Sequence, residues 1–470
     1  MVKKKILIFS LGPIFKDYVH GGSQKVLREV AIYLGKLDNE VNIYCNYRED
    51  NKDVFQLSEN VKVHPKLNFK STYPSAYKTN PFNLLKIHKI LDEQIKKHDI
   101  FYIHDAQINF PYLHNRQIPT IVSFRDYLYP ETLIGAFNFR RDEIIVNSKI
   151  TYDNVKYTIG NFLPGITERM TIIPNGFDYG RLQRKNVEQF KKDFNLDIKD
   201  GDKIILFPNR PEPSKGIFDN LEILSRLVNK HNMINLKLLI PKYIDLKVSN
   251  ELVGLYKEID VISSNLGISK NIIYHDWIPY DRMQEYFSLG DLTLSIGNFV
   301  EGFGSNSSVE SLACGTPVIL SNVGAQRNTL SDDIVPKVDY GDYDKIEEIA
   351  LSFLRNKDIF FDYNKIRKYL KQNFNYNQMV IDYANIILNS KIKKPLKEDI
   401  NSDSIFGNYI LAPWCSLSKY KIYCDYDYGY IDISSNLYER LNDGFIIYKE
   451  EFIDNEIEKL IEGGYIVKND

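Results

Sequence analysis

Two carboxylates bracket a glycine- and serine-rich turn in EGFGSNSSVESLACGTPVI, residues 301 to 319. Glu310 has a plain structural use: Ser307-Ser308-Val309-Glu310 fits a capping box, with Ser307 as N-cap and Glu310 three residues on. Glu301 has no such use. It follows the apolar run DLTLSIG and precedes Gly302-Phe303-Gly304, where the sequence leaves backbone N–H groups unencumbered. A carboxylate beside free amides can hold several sugar hydroxyls, which both donate and accept hydrogen bonds. A second carboxylate nearby, Glu310, could take the two hydroxyls of a ribose.

Other polar groups sit at the ends of predicted strands. In FPNRPEPSKGI, Arg210 and Lys215 flank a proline-rich turn. Two cations on one loop suit a diphosphate, whose charge is spread over several oxygens, although a solvated turn has the same composition. Gly21-Gly22-Ser23 lies between the first strand and its helix, with Ser23 a natural N-cap. That turn is either loop punctuation or a place where a ligand meets the backbone at Gly22. His104-Asp105 and Arg125-Asp126 end two further strands and are candidates for the acceptor side or for simple strand-end caps.

The elements that must position these groups are short apolar runs alternating with helical patterns. KILIFS, VNIYC, DIFYIHD, PTIVSF, EIIVNS and MTIIPNG are apolar on both faces and separated by helices, which implies a parallel sheet covered on both sides. This first doubly wound domain spans residues 1–180. The pattern restarts with GDKIILFPNR and continues through INLKLLIP, NIIYHDWI, DLTLSIG and TPVILSN, giving a second such domain over 181–395. Its last helix, around FNYNQMVIDYANIIL, is expected to cross back onto the first domain. Ligands in such sheets bind beyond the carboxyl ends of the strands, here in the cleft between domains. Residues 396–470 begin with a charged linker and continue as a tyrosine-rich module reading strand, helix, helix, Gly-turn, strand, a small α+β or winged-helix pattern.

Composition narrows the classes. A net charge of −2 over 470 residues gives no basic footprint for nucleic acid. The four cysteines, Cys45, Cys314, Cys415 and Cys424, form no CxxC and read as buried thiols in a reducing compartment. Asp-Tyr-Asp occurs at 342–344 and 425–427, but neither copy follows a suitable nucleotide-binding strand, and no metal is expected. No apolar run reaches membrane-spanning length, so a cytoplasmic protein is expected, with peripheral membrane contact left open. Nothing in the sequence sets an oligomeric state.

Taken in order, Gly21-Gly22, Ile173-Pro174-Asn175-Gly176-Phe177-Asp178, Arg210 to Lys215-Gly216 and EGFG…E…GTPVI resemble the family-4 retaining glycosyltransferases over residues 1–390. The resemblance implies a GT-B fold: two Rossmann-like domains facing a cleft, here with the added module. It implies a hexosyltransferase that uses a UDP- or GDP-sugar and needs no cofactor or metal. Arg210 and Lys215 would hold the diphosphate, Glu301 the donor sugar together with Gly22 and the Gly302-Phe303-Gly304 amides, and Glu310 the ribose. Arg210, Lys215 and Glu301 would carry catalysis. The sequence departs from the family twice. The family's glutamates usually have seven residues between them; here there are eight, and Ser305-Asn306-Ser307 must absorb the extra one. Arg125 stands where many relatives carry a histidine, and arginine cannot serve as a base; the retaining mechanism is thought to use the departing phosphate instead. The tail resembles PqqD-like modules that bind peptides, which implies a peptide or protein acceptor. A lipid or glycan acceptor and an inactive scaffold are the rival readings.

Overall fold

The computed structural model describes residues 3–19, 21–69, 79–105, 118–128, 130–140, 142–243, 246, 249–399, 404–449 and 454–469. Residues 400–403 of the linker lie outside the described residues. The first sheet comprises β1 (Lys5–Ser10), β2 (Glu40–Asn46), β3 (Phe55–Ser58), β4 (Val61–Leu67), β5 (Ile100–Asp105), β6 (Thr120–Phe124), β7 (Glu143–Val146) and β8 (Met170–Ile172). Its order is β3-β4-β2-β1-β5-β6-β7-β8. Only the β3–β4 pair is antiparallel, at the sheet's edge. Ile6, Ile8, Ile43 and Tyr102 face one core, while Leu7, Phe9, Phe101 and Ile103 face another on the opposite side. Alternate residues of each strand thus bury on both faces, as a covered parallel sheet requires.

The second sheet comprises β9 (Lys203–Leu206), β10 (Leu236–Pro241), β11 (Ile272–His275), β12 (Leu292–Ser295), β13 (Val318–Ser321) and β14 (Lys337–Val338), all parallel, in the order β11-β10-β9-β12-β13-β14. It has its own core. The helix Tyr376–Asn389 does not join that core. Met379, Val380, Tyr383, Ala384 and Ile387 bury instead against the first sheet, beside Val26, Val30 and Leu34 of helix Gly22–Lys36. The chain therefore crosses between the domains near Asn175–Asp178 and again near Phe374, where Phe177 N–H donates to the Phe374 carbonyl at 3.0 Å.

The tail has more strands than its sequence pattern suggests. β15 (Gly407–Leu411), β19 (Ile446–Tyr448) and β20 (Ile466–Lys468) form one antiparallel sheet, and β16 (Cys415–Ser418), β17 (Lys421–Cys424) and β18 (Gly429–Asp432) form a separate meander. Helices Ser435–Asn442 and Asn455–Glu462 cover a common core that includes Trp414, Tyr409 and Tyr448. All four cysteines are free and buried, and Cys415 faces Cys424 across the meander. Among the described residues, no helix is long and apolar enough to cross a membrane.

Candidate functional site

A cleft of about 600 Å³ lies beyond the carboxyl ends of both sheets. From the second domain it is lined by Arg210, Lys215, Glu301, Phe303, Gly304 and Glu310. Lys215 ends a short 3-10 turn after β9, and its Nζ lies 2.5 Å from Glu301 Oε1 and 3.5 Å from the Phe299 ring centroid. The loop cation and the carboxylate singled out in the sequence are thus direct neighbours. Arg210 Nε lies 2.7 Å from Glu212 Oε1 on the same loop.

Helix Asn306–Ala313 follows Glu301, capped by Ser305, whose hydroxyl accepts the Ser308 N–H. This corrects the capping-box reading: the helix begins before Ser307, so Glu310 sits too far along it to reach the cap. Glu310 instead accepts a hydrogen bond from Lys25 Nζ at 2.9 Å. Both glutamates still line the cleft, so the extra residue between them turns neither acid away.

Across the cleft, Gly22 lies against the Asn306 side chain. Ser23 is not the N-cap; Gly21 is, with no side-chain cap bond. The Ser23 hydroxyl meets Asp105 and His104 Nε2 instead. His104 is fully buried and does not line the cleft, which removes it from the acceptor-side candidates. Burial lowers its pKa to about 4, so it is neutral at pH 7; Nε2–H faces the Ser23 carbonyl at 3.0 Å and Nδ1 faces the Tyr102 hydroxyl at 2.7 Å. Asp105, next to it, does line the cleft. Arg125 is buried and its guanidinium is engaged. It donates to the Tyr383 hydroxyl at 2.6 Å and to Asn175, which in turn donates to Asn306 Oδ1 at 2.7 Å. This relay joins the returning helix, the hinge and the start of the Asn306 helix.

Gly302 lies at a close interdomain contact. Its N–H donates to Asp126 Oδ1 at 2.7 Å, and its carbonyl accepts from Ser148 and Thr151. The Gly302 amide is therefore used for closure and is not free for a sugar, contrary to the sequence reading. A Cβ at Gly302 would stand 1.9 Å from the Arg125 carbonyl oxygen. Gly302→Ala is expected to leave each domain folded but hold the cleft open. A misplacement of this size lowers turnover by about 100-fold, and small-angle scattering should show the expanded molecule.

Burial, reinforced by Glu301, raises the Asp126 pKa to about 6. The folded protein then keeps a proton that the unfolded chain loses near its ordinary value of about 4. This contribution to stability is present at low pH and lost as pH rises through about 6. Asp126→Asn should flatten the fall in melting temperature between about pH 4 and pH 6. Asp425, also raised to about 6 by burial, has the same sign and should keep a residual slope.

Lys25 carries no mark in its local sequence. It is buried on helix Gly22–Lys36, between Glu310 and the Phe177 ring, with its Nζ 4.6 Å from that ring's centroid. Burial alone would lower its pKa, but Glu310, Glu29 and Tyr280 together raise it above the ordinary value. Neither Asp-Tyr-Asp copy is arranged as a ligand set. Asp342 caps helix Tyr343–Phe360, Asp344 pairs with Arg226, and Asp425 pairs with Arg327.

Residues 20–181 match the family model described as Glycosyltransferase Family 4, and residues 188–373 match that described as Glycosyl transferases group 1. The chain is 24% identical over 291 residues to the alpha-monoglucosyldiacylglycerol synthase of Streptococcus pneumoniae, covering 60% of each protein, so less than two thirds of that relative is spanned. The sucrose-phosphate synthase of Thermosynechococcus elongatus shares the fold, with a TM-score of 0.67 at 15% identity over 82% of this chain and 98% of that one. Anabaena HepE in complex with UDP-glucose does so with a TM-score of 0.63 at 15% identity, over 82% and 99%. The two family models fall in succession on the two domains that form the cleft, and the chain belongs to the family-4 glycosyltransferases of GT-B fold.

Proposed function

We propose that the chain is a retaining, metal-independent hexosyltransferase that moves a sugar from UDP to a hydroxyl acceptor. The observation that carries this reading is the Lys215–Glu301 pair at the cleft floor, with Arg210 on the same loop and Glu310 on the helix beyond. A donor diphosphate would take Lys215 and Arg210, exchanging the Lys215–Glu301 ion pair for one with phosphate oxygens. Glu301 is then released to hold sugar hydroxyls, and Glu310 those of the ribose. The N-terminus of helix Asn306–Ala313 adds oriented amides near the developing phosphate charge.

In the proposed reaction the bond from the anomeric carbon to the phosphate oxygen breaks. The acceptor oxygen bonds to that carbon on the same face, and its proton passes to the departing phosphate. Arg125 takes no part as a base. Proton NMR of the first sugar released from UDP-α-glucose tests the stereochemistry: the α anomer is expected, and a β product would remove the retaining reading.

For the acceptor, we favour a lipid-linked hydroxyl. Phe82 and Leu85 on helix Pro81–Ile95 and Ile134 and Phe137 on helix Pro130–Asn138 are exposed on two helices that share one core. Lys86 lies 4.4 Å over the Phe82 ring. The S. pneumoniae relative, named for a glycolipid, supports the same choice. A peptide acceptor is the second reading, because edge strand β19 exposes Ile447 and follows exposed Phe445. Phe445→Ser with Ile447→Ser should leave transfer unchanged if the acceptor is a lipid and impair it if the acceptor is a peptide.

A further inference from the structure

The tail module is built into the junction of the two domains, beside the loop that carries Glu301. The Asp425 carboxylate is buried and forked onto Arg327, with Oδ1 2.8 Å from Nη1 and Oδ2 2.5 Å from Nη2. Oδ1 also accepts the Gly324 N–H at 3.1 Å. Gly324 adopts a left-handed conformation, with φ of 53°, and a Cβ there would stand 3.2 Å from Glu301 N and 3.3 Å from Val300 Cα. The next residue, Ala325, donates its N–H to the Glu301 carbonyl at 3.1 Å. Asp425 therefore grips a turn on which the Glu301 backbone rests.

Two more tail residues act on the same place. Tyr423 packs with Val300 and Val323 in a small apolar cluster that Leu128 of the first domain joins. Tyr426 donates its hydroxyl to the Tyr127 carbonyl at 2.9 Å and accepts from Asn154 Nδ2 at 3.2 Å. Tyr127 and Leu128 directly follow Asp126, the residue that holds Gly302 N–H. From the second domain through Asp425 and from the first through Tyr426, neighbouring residues of one strand end clasp both sides of the Glu301 loop. Asp427 bonds inside the module, to the Tyr465 hydroxyl at 2.9 Å.

We infer that Asp425, Tyr426 and Tyr423 are positioning residues for the sugar site, and that the module's role is to fix the Glu301 loop in the closed cleft. A bidentate Arg–carboxylate pair sets geometry as well as energy, which suits it to this task. A module that only recruited an acceptor would have no need to back the Glu301 peptide. The inference rests on the donor-site reading above for its catalytic consequence, but its structural half stands independently of it.

The test uses full-length protein with Asp425→Asn and, as a milder change that keeps the buried pair, Tyr426→Phe. Three readouts are compared with wild type: amide hydrogen exchange of the segment 298–305, UDP affinity by calorimetry, and UDP-glucose turnover. Exchange in 298–305 is expected to speed up by about tenfold or more in Asp425→Asn, and less in Tyr426→Phe. Turnover should fall in the same order while UDP affinity stays within about threefold, because Lys215 and Arg210 lie on a different loop. Asp425→Glu, which keeps the charge, should recover part of the loss. Should Asp425→Asn fail to fold, Tyr426→Phe decides. If the variants loosen the module's own amides while 298–305 and turnover stay at wild-type values, the inference is overturned. If wild type turns over no donor, the enzyme reading fails, and the exchange result alone decides whether the module positions the loop.

Discussion

Glu301→Gln is expected to lower donor turnover by about 100- to 1000-fold, the scale lost when one preorganised charge-stabilising group is removed from an active site. UDP affinity should change little. The substitution keeps the side chain's size, so the loss reports charge and hydrogen-bond acceptance. Glu301 sits between two constraints that hold its loop still: Ala325 N–H on its own carbonyl and Asp126 on the next peptide. A carboxylate held this way can favour the sugar as charge develops at its anomeric carbon without reorganising. Lys215→Met should behave differently. In the proposed reaction it removes the group that would meet the diphosphate before and during bond breaking, so UDP affinity and turnover should both fall. Steady-state kinetics with UDP-glucose, together with calorimetry of UDP binding, separate the two patterns.

The second large effect is expected at Lys25. Its ammonium is buried with Glu310, and Glu29 lies close enough to act on it; Glu29 is in turn held by the Tyr280 hydroxyl at 2.9 Å. Removing one partner of a buried ion pair leaves the other charge without compensation, at a cost of about 3–5 kcal/mol. Lys25→Met should therefore shift the first unfolding transition in guanidinium chloride to lower denaturant. Glu310→Gln in the same protein should recover part of that loss, since it removes one of the stranded charges. Burial also raises the Glu29 pKa, and a remaining penalty in the double variant is expected from that group. Because the pair spans the two domains, Lys25→Met should also favour an open cleft, visible as a larger radius of gyration.

Much of the fold was legible because the central strands are apolar on both faces. β1, β5 and β6, or β9, β12 and β13, could hardly be anything else between amphipathic helices. The edge of the first sheet was not. β4 alternates buried valines with exposed lysines at 62 and 66 and carries Pro65, a composition that also suits a loop. The tail meander was hidden for a related reason. The turn between β16 and β17 is Lys419-Tyr420, with Tyr420 at φ 56°, and it lacks the Asn-Gly or Asp-Gly signature that marks such hairpins.

Within the site, Arg210, Lys215, Glu301 and Glu310 could be read from local spacing because each lies in the loop after a strand or on the helix that follows it. Lys25 could not, since its burial is created by Glu310, far along the chain. The use of the Gly302 amide by Asp126 has the same origin. Three serines compete at 305, 307 and 308, and only the backbone path out of Gly304, at φ 89°, selects Ser305 as the cap.

The proposed donor site works through its own cations and Glu301. The measurement that tests it most directly is nucleoside diphosphate release from a panel of UDP- and GDP-sugars in the presence of a chelator, comparing wild type with Glu301→Gln and Lys215→Met. The expected result is slow release from one donor by wild type, insensitive to chelator and lost in both variants. Release that requires added metal, or release by the variants at the wild-type rate, would contradict the claim.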